Sequence, residues 1–99
     1  MRLREIAHSR TGDKGDISNI SVIAFDPKDY PLIVARVTAE RVAAHFAKIT
    51  TGPVRRYELP NIGALNFVLE GALAGGVTRA LTLDAHGKSL SSLMLDLEI

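Results

Sequence analysis

Two short stretches near the N-terminus alternate apolar and polar positions. Leu3 to Ser9 reads as a strand with imperfect alternation. Ile17 to Phe25 reads as a better one, with Ile20, Val22 and Ala24 opposite Asn19, Ser21 and Ile23. Because Ile23 and Phe25 fall on the second face, both faces of this strand are expected to be covered. Asp26 and Pro27 break it. Pro31 then suits the first turn of a helix, where its missing N–H costs nothing. Between Tyr30 and Ile49 the pattern predicts two helical pieces. Thr38 is a good N-cap, Glu40 lies in the first turn where it favours the dipole, and Val42, Phe46 and Ile49 form an apolar stripe at helical spacing. Gly52 and Pro53 stop the helix.

Val54 to Leu59 alternates again, as a strand with one wet face, and ends at Pro60. Asn61 is placed to cap a helix running to about Ala74, in which Leu65, Val68, Leu69 and Ala72 face one way while Phe67 and Leu73 widen the apolar surface. Gly75 and Gly76 can terminate it in a left-handed conformation. Val77 to Asp84 and Leu90 to Ile99 read as two further strands, joined by Ala85 to Lys88 as a hairpin loop. In the last strand Leu93, Leu95, Leu97 and Ile99 alternate with Ser92, Met94, Asp96 and Glu98. This order implies an α+β fold: a ferredoxin-like two-layer sandwich, with a mainly antiparallel sheet of about five strands and two main helices on one face.

Length and composition narrow the function. A chain of 99 residues without an internal repeat or low-complexity linker is expected to make a single domain over residues 1–99. Such a domain buries roughly two thirds of its unfolded surface. The formal charge is only +1, and basic residues are interleaved with acids, so no basic stripe marks a nucleic-acid partner. Five aromatics, Phe25, Tyr30, Phe46, Tyr57 and Phe67, also supply few stacking platforms for bases. The absence of cysteine excludes disulfides, thiolate nucleophiles and cysteine metal ligands. No apolar run approaches the ~18 residues of a membrane helix, and no signal-peptide pattern opens the chain, so the cytoplasm is the default compartment. Nothing in the sequence implies a cofactor.

The candidate chemistry concentrates in Ser9 to Asp16, read as a loop with four charges and two glycines in eight residues. Gly12 and Gly15 would let backbone N–H groups converge on an anion, as a nest does, and Arg10 and Lys14 would add donors for phosphate or carboxylate. Asp13 and Asp16 would repel that anion, and the spacing is not that of a P-loop. The competing reading is a loop paired within itself, its aspartates bonded to their own backbone. Asn19 and Asn66 are amides on otherwise apolar elements; when buried they must find partners, either by bracing this loop or by a capping or core hydrogen bond. His8 with Asp13 and Asp16 matches no standard metal-ligand spacing, and no metal site is assigned. Ser9 or Thr11 as a nucleophile would need an adjacent base, but on a strand His8 points to the other face. No catalytic residue emerges.

Ser9 to Asp16 followed by Asn19, then Tyr57 to Asn61, Asn66 and Phe67, Gly75 to Val77, and Asp84 with Gly87 and Lys88 together resemble the C-terminal domain of the acyclic terpene utilisation A (AtuA) family. The resemblance spans nearly the whole chain and is closest to members that carry this module as a separate short chain. It implies a setting in acyclic terpenoid and acyl-CoA catabolism, and a small subunit or assembly module that packs on a larger AtuA-like chain or on its own copies. The alternative is a small enzyme or binding domain, in which Arg10 and Lys14 hold an acyl-CoA-like or carboxylate anion and Asp13 or Asp16 serves as acid or base.

Overall fold

The computed structural model describes residues 1–14, 17–47, 52–70 and 88–99. Four strands, β1 (Ala7–Lys14), β2 (Ile17–Ala24), β3 (Val54–Leu59) and β4 (Ala64–Glu70), pair in the order β1-β2-β4-β3, every neighbour antiparallel. Since β2 and β3 both oppose β4, they run parallel to each other with β4 between them. The helical segment that joins β2 to β3 therefore closes a split β-α-β unit, the core of the ferredoxin-like arrangement. β1 lies against the free side of β2, on the edge that a β-α-β-β-α-β chain fills with its last strand. Here the edge strand comes first.

Helices α1 (Tyr30–Arg36) and α2 (Ala39–His45) follow β2, and α3 (Lys88–Leu95) lies near the C-terminus. Pro31 stands in the first turn of α1, and the Thr38 hydroxyl accepts from the backbone N–H of Arg41 at 3.1 Å, which caps α2 as its sequence predicts. Of the predicted stripe, Val42 and Phe46 are fully buried, and Ile49 lies outside the described residues. α2 packs on β3 while α3 packs on β1 and β2, so the described helices share one face of the sheet. The core fills the space between them: Ile20 and Val22 of β2, Leu65, Phe67 and Leu69 of β4, Ile33, Val42 and Phe46 from the first helical segment, Leu90 and Met94 from α3. No described helix is long and apolar enough to cross a membrane.

Three predicted elements differ. The first strand does not run from Leu3 to Ser9. Leu3–Glu5 is a single 3-10 turn, with Leu3 buried and its N–H donating to the Leu97 carbonyl, and the strand extends instead to Lys14. The helix predicted from Asn61 is strand β4. Pro60–Ile62 makes a 3-10 turn that Gly63 ends in the left-handed region, at φ 62°, which turns the chain back beside β3. Leu65, Val68 and Leu69 fit helical spacing, while Leu65, Phe67 and Leu69 alternate with Asn66, Val68 and Glu70, so the run fits a buried helix as well as a strand. The strand predicted over Leu90–Ile99 is largely α3: Leu90, Met94 and Leu97, at helical spacing, are the residues buried there. The described sheet thus has four strands, not five. The predicted strand Val77–Asp84, most of the loop after it and the caps Gly75 and Gly76 lie outside the described residues.

Candidate functional site: the outer face of the sheet

Strand alternation sorts the predicted site residues. On β1 the positions of Ala7, Ser9 and Thr11 face the helices, and His8, Arg10 and Gly12 face away. Small polar residues at the inward positions hid this alternation, so the charged segment read as a loop. It is a strand through Lys14, with Gly12 paired opposite Asn19 in the ladder with β2, and Gly15 lies outside the described residues. Lys14 pairs with Ile17, which leaves Gly15 and Asp16 as the two residues of the connection. Those two, and the side chains of Asp13 and Lys14, lie outside the described residues.

The register gathers the other four candidates on the outer face. Gly12 pairs with Asn19, Asn19 with Val68 and Val68 with Arg55, making one row across four strands. The next row is Arg10, Ser21, Asn66 and Tyr57. With neighbouring strands about 4.8 Å apart, each row spans about 14 Å. Asn19 and Asn66 are half-buried, and neither side-chain amide makes a hydrogen bond with another described residue. Ser21 Oγ donates to the Arg10 carbonyl at 3.4 Å.

Apolar groups flank these rows. Tyr57 is 49% exposed and Leu59 41%, at outward positions of β3, with Ile62 just beyond. At the start of β1, His8 stacks on the exposed Phe25 ring with centroids 5.4 Å apart. Sequence reading took Phe25 as covered; its ring is 63% exposed. Tyr57, Ser21 and Val68 were not among the predicted site residues, although the alternation of β3 with β4 is what would have placed them there. The described helices α2 and α3 pack on the opposite face.

Charge on the face is mostly basic. Arg55 pairs with Glu70 at 3.5 Å, whereas the Arg10 guanidinium has no acid or carbonyl partner among the described residues. By contrast Arg2 and Arg4 reach Asp96, Arg41 reaches the Arg36 carbonyl, and Arg56 pairs with Glu58. The inward hydroxyls offer no nucleophile: Ser9 Oγ and Thr11 Oγ1 are buried beneath the sheet, on the side opposite His8. Two clefts elsewhere, of about 260 Å³ beside Tyr30 and Ile62 and about 470 Å³ beside Arg41 and Asp96, include none of the predicted site residues.

The family model described as the AtuA ferredoxin-like domain matches residues 1–99. No curated protein and no solved structure matches the chain.

Proposed function

From a chain that belongs to the AtuA ferredoxin-like family, we propose an assembly module of acyclic terpenoid and acyl-CoA catabolism, a small cytoplasmic subunit that docks the outer face of its sheet on a larger AtuA-like chain. The observation that carries this reading is the combination of exposed Tyr57 and Leu59 with the half-buried amides of Asn19 and Asn66, unpartnered among the described residues, on a face that no described helix covers. A sheet layered on one side only has apolar surface still to bury. Amides without partners on that surface can still be satisfied across an interface, where polar donors fix register and discriminate between partners.

Charge favours a different chain over a second copy. Among the described side chains Arg10 and Arg55 outnumber Glu70 on the outer face, so two such faces brought together would oppose like charges, which is costly at an interface. A larger chain with an acidic, partly apolar patch is the complementary partner.

The test is a native pull-down of the tagged chain from its own organism's lysate, with mass spectrometry of the retained proteins, repeated with Val68→Glu. Recovery of a larger AtuA-like chain in fixed ratio, lost with Val68→Glu while the variant keeps its melting temperature within a few degrees, supports the reading. Recovery unaffected by Val68→Glu, or a chain that only self-associates, overturns it.

A further inference from the structure

Gly12 is an anomaly within β1. Glycine weakens a strand interior, since it orders a freer backbone and packs no side chain. It is tolerated where a left-handed conformation or a close neighbour demands it, yet among the described glycines only Gly63 has positive φ. Nor does a described neighbour crowd it: a Cβ built at Gly12 would meet no heavy atom within 4 Å. A strand glycine also serves close approach by a ligand or another backbone.

What surrounds that notch describes the visitor. Arg10 is the next outward residue on the same strand, and its guanidinium has no partner among the described residues. Asn19 sits directly across from Gly12, and Ser21 and Asn66 continue the row from Arg10. A planar cation beside a neutral amide donor suits a carboxylate, which can accept the guanidinium fork bidentately while a remaining lone pair takes an amide N–H. Among the described side chains no acid pairs with Arg10, and the outward positions beside it are His8, Gly12, Asn19, Ser21 and Ile23.

We propose that the open position at Gly12, beside Arg10 and Asn19 and with Asn66 in the next row, is a carboxylate-binding site that receives an acidic side chain of the partner. The proposal rests on the docking reading above and names the contact that gives it direction. The notch lets the partner's carboxylate come close to the sheet, the Arg10 charge selects carboxylate over an uncharged amide, and the Asn19 amide adds a donor.

The site can be tested without the partner. The ¹⁵N-labelled chain is titrated with N-acetylglutamate, with N-acetylglutamine and inorganic phosphate as controls at matched ionic strength. Saturable amide shifts centred on Arg10, Gly12, Asn19 and Asn66 are expected with N-acetylglutamate alone. Arg10→Gln should weaken this binding at least tenfold. Gly12→Val, which fills the notch with a strand-favouring side chain, should do the same while the melting temperature stays at or above that of the native chain. Equal shifts with N-acetylglutamine or phosphate, or no loss with Arg10→Gln and Gly12→Val, overturn the site and leave the docking reading standing. If N-acetylglutamate binds as expected but Arg10→Gln leaves the affinity of the larger AtuA-like chain unchanged, the site does not serve the partner and that assignment is overturned.

Discussion

Arg56, on the inward side of β3, donates from Nη1 to the Val34 carbonyl of α1 at 2.7 Å. The same nitrogen reaches the Val37 carbonyl, at 3.1 Å, where α1 ends. The last carbonyls of a helix have no partner within it, and a cation there also favours the dipole. Arg56 thus caps α1 from the sheet and fixes the crossover from β2 to β3 on which the split β-α-β unit depends.

Removing this cap should be felt in stability. The Arg56 side chain is only 21% exposed, and a hydrogen bond from a charged group is worth about 1.5–3 kcal/mol. Arg56→Ala is expected to lower stability by about 2 kcal/mol, or about 10 °C in melting temperature for a domain of this size. Arg56→Lys, with one compact ammonium where two carbonyls are bonded, should lose roughly half of that. A shift below about 2 °C for Arg56→Ala would show that the cap is not coupled to folding.

Gly52 shows a different constraint. Its N–H donates to the Glu70 carbonyl at 3.0 Å, and a Cβ built on it would lie 2.4 Å from that same oxygen. Its φ is not positive, so the cost of a side chain is steric. Since the obstacle is backbone at the end of β4, it cannot swing aside as a side-chain tip would. Gly52→Ala should destabilise by about 1–3 kcal/mol. The urea midpoint should fall with the slope unchanged. An unaltered midpoint would mean that β3 and β4 can part there without cost.

How much of this was legible in the sequence depended on whether local signals agreed with burial. Pro31 and Thr38 act within one turn, and α1 and α2 begin where those residues say. β2 and β3 carry clear alternation between breakers, and both occur as read. β4 was lost because Leu65, Val68, Leu69 and Ala72 also fall at helical spacing, and that period outweighed the alternation of Leu65, Phe67 and Leu69 inward with Asn66, Val68 and Glu70 outward. α3 was lost for the converse reason: Leu93, Leu95 and Leu97 alternate, yet Leu90, Met94 and Leu97 are what the core takes. The site followed the same logic. Arg10, Gly12, Asn19 and Asn66 were identified by residue type, but only the strand register puts them on one face and adds Ser21 and Tyr57.

Near the chain ends, charge is plentiful and should matter little. Asp96 meets both Arg2, at 3.8 Å, and Arg4, while Glu98 meets Arg2 and the N-terminal amine. All these side chains are substantially exposed, and exposed pairs typically contribute about 0.2–1 kcal/mol. The backbone bonds from Leu3 to Leu97 and from Ile99 to Met1 hold the same strands of chain together independently of charge. Asp96→Asn should therefore lower stability by less than about 1 kcal/mol, and the difference should shrink as salt is raised to about 1 M. A larger loss that persists in high salt would assign Asp96 a structural role beyond its ion pairs.

Thr11 and Gly12 are neighbours on β1 that face opposite sides of the sheet, and their substitutions should separate folding from binding. Thr11 pairs with Ile20 on the helix-facing side, where its hydroxyl is buried without a hydrogen-bond partner. A buried hydroxyl left unsatisfied costs about 1–3 kcal/mol, and Thr11→Val keeps the branched shape that suits a strand while removing the polar atom. The variant is expected to gain about 1 kcal/mol in urea unfolding. It should bind N-acetylglutamate like the native chain, because the change lies on the other face from Arg10. Gly12→Val should show the reverse: unimpaired stability with binding lost. If Thr11→Val instead loses stability, its hydroxyl has a partner in the folded chain; if it also loses binding, the two faces of β1 are not independent.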